Sequence, residues 1–95
     1  MSNELETRVS LHGYIRGRVQ GVSFRQTTAE QAELLGIDGW VRNLPDGRVE
    51  VMCEGDRQAI ELMRKWLARG PKSAKVEAVE LTEQGVQGIA GFIIR

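Results

Sequence analysis

The sequence predicts an α+β domain in which an antiparallel sheet carries two helices on one face, and three observations lead there. Apolar residues alternate with period two in several separate stretches, two further stretches repeat every three or four residues, and turn residues punctuate the boundaries. Their order is strand, helix, strand, strand, helix, strand. That is the split βαβ, ferredoxin-like sandwich, in which strand three lies between strands one and two and makes those two parallel. The loop after strand one and the end of strand two then emerge at one edge.

Each element has its own signal. Residues 1 to 7 are polar and acidic without apolar rhythm, so a flexible N-terminal tail is expected there and a single domain over residues 8 to 95. Val9, Leu11 and Ile15 share one parity and define strand one. Gly17 and Gly21 bracket a loop that leads into a helix with Phe24, Thr28, Ala32 and Leu35 along one side and Gly36 at its end. Ile37 to Leu44 reads as strand two, and Leu44-Pro45-Asp46-Gly47 as a turn. In strand three Val49, Val51 and Cys53 face the core, while Arg48, Glu50, Met52 and Glu54 face a wetter side. Asp56 is placed to cap a second helix, in which Ala59, Ile60, Met63, Trp66 and Leu67 repeat, and Gly70-Pro71 stops it. Val76 to Thr82 makes strand four, and Phe92-Ile93-Ile94 can add a short further strand.

Composition narrows the functions available. A chain of 95 residues supports one core, so any site must be built on a single layered unit. Basic and acidic residues number 13 each, and this neutral balance offers no overall attraction for nucleic acid or anionic lipid. Attraction for an anion must be local. The one cysteine, Cys53, excludes an internal disulfide and a cysteine-based metal cluster, and it fits a reducing compartment. No secretory leader pattern and no membrane-length apolar run is present, so a soluble, cytoplasmic protein is expected. No sequence feature reads out oligomeric state, and a monomer is the starting expectation.

The loop from Arg18 to Arg25 is the place for that local attraction. A glycine-containing loop entering a helix directs unpaired N–H groups to one point, where the helix dipole also favours negative charge. Arg25 adds a planar guanidinium suited to two phosphate oxygens. The same residues could equally make a tight connection with a solvated arginine. The Walker A pattern Gly-x-x-x-x-Gly-Lys-Ser/Thr is absent. Asn43 ends strand two beside a turn and could simply bond the local backbone. The strand order sets it near Arg25, where its amide can donate to and accept from a water molecule.

The run Gly17-Arg18-Val19-Gln20-Gly21-Val22-Ser23-Phe24-Arg25 resembles the first signature of the acylphosphatase family at every fixed position. Gly39-Trp40-Val41-Arg42-Asn43, followed by Gly47, Val49 and Gly55, resembles the second. The stretch from Gly70 to Val76 and the closing Phe92-Ile93-Ile94-Arg95 are also similar to the family. The resemblance implies hydrolysis of a carboxyl phosphate to a carboxylate and inorganic phosphate, on a ferredoxin-like fold and without metal or other cofactor. It implies that Arg25 binds the phosphoryl group and Asn43 orients the attacking water. The cradle would be the backbone of Gln20, Gly21, Val22, Ser23, Phe24 and Arg25. Ser23 occupies a variable position and is not expected to be a nucleophile; a capping role is the simpler expectation.

A mixed anhydride releases a stable carboxylate, so positioning and charge stabilisation suffice without a strong general acid. No histidine or carboxylate is evident at the site, so a phosphate oxygen of the substrate is the expected proton acceptor. His12 has no evident carboxylate or cysteine partner and reads as structural or solvated. Cys53 reads as core, Trp40 as packing, Trp66 as core, and Glu61, Arg64, Lys65 and Arg69 as the solvated face of helix two. RNA-recognition modules share this strand order but stack bases on sheet aromatics, and strand three has none while strand one offers only Tyr14. A domain that senses a small phosphorylated or anionic ligand without chemistry is the remaining alternative.

Overall fold

The computed structural model describes residues 8–95, so the tail expected over residues 1 to 7 lies outside the described residues. The elements are β1 (Arg8–Arg18), α1 (Phe24–Leu35), β2 (Asp38–Asn43), β3 (Val49–Asp56), α2 (Arg57–Arg69), β4 (Lys75–Gln84) and β5 (Phe92–Ile94). The sheet order is β4-β1-β3-β2-β5. The β1–β3, β1–β4 and β2–β3 pairs are antiparallel, as expected, and β5 adds a parallel pair with β2 that makes the whole sheet mixed.

Both helices lie on the face formed by Leu11, Ile15, Val41, Val49, Val51 and Cys53, where Phe24, Ala32, Ile60, Met63 and Leu67 complete the buried core. Burial pushes the Cys53 thiol up to about 12, which keeps it protonated and makes it a small core residue. Trp66 is half-buried and leans on Phe24, with ring centroids 5.7 Å apart. Leu35 likewise packs at the margin of the core instead of inside it.

The other face departs from the alternation read in β3. Glu50, Met52 and Glu54 are buried, with Glu54 fully so. A central strand has neighbours on both sides, and here their side chains close over it. Ser10 Oγ meets Met52 Sδ at 3.2 Å, and Glu50 accepts from His12 Nε2 at 2.7 Å and Arg42 Nε at 2.6 Å. Glu54 accepts from the backbone N–H groups of Gln87, Gly88 and Ile89, which fastens the segment before β5 to the sheet. Asp38 ties the same segment down by accepting from Gly91 N at 2.9 Å, and it pairs with Arg8 at 3.1 Å.

Asp56 stands at the N-cap of α2 but makes no side-chain capping bond there. Gly36 ends α1 with a left-handed φ of 69°, as its position suggested. Among the described residues no helix is long and apolar enough to cross a membrane.

Candidate functional site

β1 is longer than its apolar alternation implies and ends in an irregularity. The ladder to β4 shifts register between Arg16 and Gly17. Gly17 has a φ of 131°, and a Cβ there would sit 2.2 Å from the Lys75 carbonyl oxygen. The chain then leaves the sheet through Val19, whose side chain is buried, and turns at Gly21 with a φ of 73°. Open space surrounds Gly21, so the backbone angle and not crowding calls for glycine.

Ser23 is the one non-glycine with positive φ among the described residues, at φ 62° and ψ 27°. It occupies the N-cap of α1, yet its hydroxyl makes no capping bond, contrary to the expectation for it. A left-handed residue at the cap turns the preceding amides toward the helix entrance instead of folding a side chain over them. The first turn is secured through the Ser23 carbonyl, which accepts from Thr27 N at 3.0 Å and Thr27 Oγ1 at 2.5 Å. Helix geometry leaves the N–H groups of Phe24, Arg25 and Gln26 without intrahelical acceptors. Together with the left-handed Gly21 and Ser23, they form a concavity that favours an anion.

A cleft of about 170 Å³ opens at this point, lined by Gly21, Ser23, Phe24, Arg25 and Asn43 with Val19, Gln26 and Ile94. The strand order brings Arg25 and Asn43 to one edge, as the sequence suggested. Arg25 is half-buried, and its Nη1 donates to the main-chain oxygen of Arg95 at 3.0 Å. Asn43 closes β2 opposite Val49. Its Oδ1 is buried and accepts no hydrogen bond, the single such side-chain atom among the described residues. Native interiors rarely leave a buried acceptor unpaired, which sets this residue apart from the other polar side chains around the cleft.

The other cradle residues divide. Val22 packs against the core, and its carbonyl accepts from Ser73 Oγ at 2.7 Å. Gln20 stands behind the cleft, with its side-chain amide bonded to the Leu44 and Arg48 carbonyls. Ile94 and Gln26 complete the lining and were not singled out in the sequence. The apolar Phe92–Ile94 run signalled a strand, but nothing local signalled that it would lie beside β2.

His12 and Trp40 project from the open face of the sheet and do not line the cleft. The reading of His12 as lacking a carboxylate partner is corrected by Glu50, which is 38 residues away in sequence and reaches it across the β1–β3 pair. Burial alone would raise the Glu50 carboxyl, but hydrogen bonds from His12 and Arg42 outweigh it and hold the group below its ordinary value. Arginines cover the nearby rings: Arg48 lies 4.3 Å from the Tyr14 centroid and Arg95 4.9 Å from that of Trp40. Among the described residues, no three His, Cys, Asp or Glu side chains gather as a metal site would require.

The family model for acylphosphatase matches residues 11–94. An acylphosphatase of Pseudomonas paraeruginosa is 57% identical over 88 residues, which span 93% of this chain and 97% of the relative. The solved acylphosphatase from Coxiella burnetii superposes with a TM-score of 0.93 at 36% identity, over 100% of both chains. That from Bacillus subtilis gives 0.88 at 33% identity, over 92% of this chain and 98% of its own. These likenesses run through both signature segments and every element of the sheet, and on them the chain belongs to the acylphosphatase family.

Proposed function

We propose that this enzyme hydrolyses the carboxyl-phosphate bond of a small acyl phosphate without a metal, with Arg25 holding the phosphoryl group and Asn43 orienting the attacking water. The observation that carries the proposal is that Asn43, Arg25 and the residues that open α1 line one and the same cleft. A water molecule held by the side-chain amide of Asn43 turns a lone pair toward phosphorus. Arg25 and the amides from Gly21 to Arg25 receive the equatorial oxygens, whose charge they stabilise as the bond to the carboxylate breaks. The leaving group departs as a stable anion and needs no proton. A phosphate oxygen accepts the proton that the water loses, which suits a cleft with no histidine or carboxylate in its lining.

The cleft has room for a phosphoryl group and few further atoms, so the reading requires recognition of that end of the substrate and little of the acyl part. It gives nucleic acid no role, consistent with the arginines that already cover Tyr14 and Trp40. It also has the chain acting alone in the cytoplasm.

The test is hydrolysis of benzoyl phosphate by the purified protein, with and without EDTA, beside Arg25→Ala and Asn43→Ala. Metal-independent turnover that both substitutions cripple is the expected result. Wild-type activity no greater than that of the variants would favour a ligand-sensing domain, and abolition by EDTA would refute the metal-free route. A pH-rate profile set by His12 or by an enzyme carboxylate would refute the substrate oxygen as proton acceptor.

A further inference from the structure

We propose that the side chain of Gln20 is a positioning residue that locks the phosphate cradle to the Asn43 end of β2; this rests on the roles proposed for Arg25 and Asn43. Its Nε2 donates to the Leu44 carbonyl at 2.8 Å and to the Arg48 carbonyl at 2.9 Å, so both amide protons are used and the group is fixed in orientation. The turn does not depend on them. Leu44 N already donates to the Arg48 carbonyl at 2.8 Å, and Gly47 N to the Leu44 carbonyl at 3.1 Å. Neither carbonyl would be left without a partner if Gln20 let go. What the two bonds add is a connection between segments that no sheet ladder joins.

β1 and β2 are not neighbours; β3 separates them. Without Gln20, the loop after β1 and the end of β2 are related only through two strand pairings with the irregular end of β1, or by the longer path from Arg25 through Arg95 to Val41. Gln20 spans that separation directly. It precedes Gly21, the first cradle residue to line the cleft, while Leu44 follows Asn43 and Arg48 precedes Val49, the ladder partner of Asn43. One planar amide therefore stands a single residue from each half of the site and sets the distance from the bound phosphorus to the water on Asn43. A displacement of about 1 Å between reacting groups costs on the order of 10²-fold in rate.

The test is a double-mutant cycle with Gln20→Met, which keeps the length and removes the donors, assayed with benzoyl phosphate and with inorganic phosphate as competitive inhibitor. The cradle belongs to one continuous segment, so the phosphate inhibition constant should change less than about threefold while kcat falls about 10- to 100-fold. In the Asn43→Ala background, Gln20→Met should cause no further loss, because its effect acts through Asn43. An unchanged kcat, an equal loss in both backgrounds, or an inhibition constant that rises in step with the kcat loss would each overturn the proposal. Full turnover by Asn43→Ala alone would overturn the reading beneath it, whereas full turnover by Gln20→Met beside a crippled Asn43→Ala would overturn the lock alone. Should Gln20→Met fail to fold, Gln20→Glu preserves the shape. Its activity relative to wild type should rise as pH falls and the protonated carboxyl can donate again, and a flat ratio would count against the lock.

Discussion

Two places in the molecule turn successive backbone N–H groups toward a negative charge, and they differ in where the charge comes from. At Glu54 the amides of Gln87, Gly88 and Ile89 close on a carboxylate of the chain itself, fully buried in β3. At the entrance of α1 the amides open on a cleft that Arg25 and Asn43 also line. The chemistry of recognition is the same. A filled arrangement fastens a segment and contributes stability; an open one leaves that interaction for a substrate. The contrast teaches that amide arrays alone do not mark function here, and that the informative sign is the group left without an internal partner.

The sharpest way to break the comparison is to disable the open array. Arg25→Ala should lower kcat/KM by about 10²–10³-fold and also weaken inhibition by inorganic phosphate, because in the proposed mechanism it removes charge that holds the phosphoryl group before and during reaction. Asn43→Ala should lower kcat by a comparable or somewhat smaller factor and leave phosphate inhibition near wild type, since the proposed mechanism has Asn43 act on water. Equal weakening of phosphate inhibition by the two variants would mean that the division of labour between them is wrong.

The filled array should respond in stability and not in chemistry. Glu54→Gln replaces one acceptor oxygen with a donor facing buried N–H groups and should cost about 2–4 kcal/mol in urea unfolding. Burial alone would raise the Glu54 carboxyl, but the amides of Gln87, Ile89 and Gly88, helped by the charge of Arg8, hold it below its ordinary value of 4.5. A depressed folded-state value contributes stability that is complete above the unfolded value and is lost as pH falls through the folded one. Wild-type stability should therefore decline below about pH 4.5, and Glu54→Gln should flatten part of that decline. Glu50, held low by His12 and Arg42, and Asp46, held low by the backbone N–H and side chain of Arg48, contribute to what remains. An acid limb identical in the two proteins would remove Glu54 from this account.

The smallest expected effect is at Ser23. Its hydroxyl makes no capping bond, and its left-handed backbone suits glycine, so Ser23→Gly should keep kcat within about threefold of wild type. A loss of several orders of magnitude would give the hydroxyl a chemical role that the cleft geometry does not assign to it.

The strand and helix order, the glycine loop, the left-handed Gly36 and the meeting of Arg25 with Asn43 were all legible in the sequence, because each follows from local periodicity or from the topology those periods define. The illegible part lies on the open face of the sheet. Alternation in β3 marked Glu50 and Glu54 as wetter positions, but period two reports only which side a residue faces and not what the rest of the chain lays over that side. Their partners stand far away in sequence: His12 for Glu50, and Gln87 to Ile89 for Glu54. The same holds within the site for the bonds from Gln20 to Leu44 and Arg48 and for the arrival of Ile94. Ser23 was misjudged for a different reason, since a serine at a helix start is read as a side-chain cap, and here the backbone angle does the turning.

The parallel addition of β5 to β2 has a consequence for the order in which the protein becomes competent. The cleft draws Val19 to Gln26 from near the start of the domain, Asn43 from its middle and Ile94 from the last strand. No contiguous fragment shorter than residues 19–94 contains all of its walls. Such long-range closure belongs to the late, slow part of folding. During refolding, catalytic turnover should therefore emerge together with the final docking of β5 and never ahead of it, which makes the enzyme's own reaction a clock for completion of its fold.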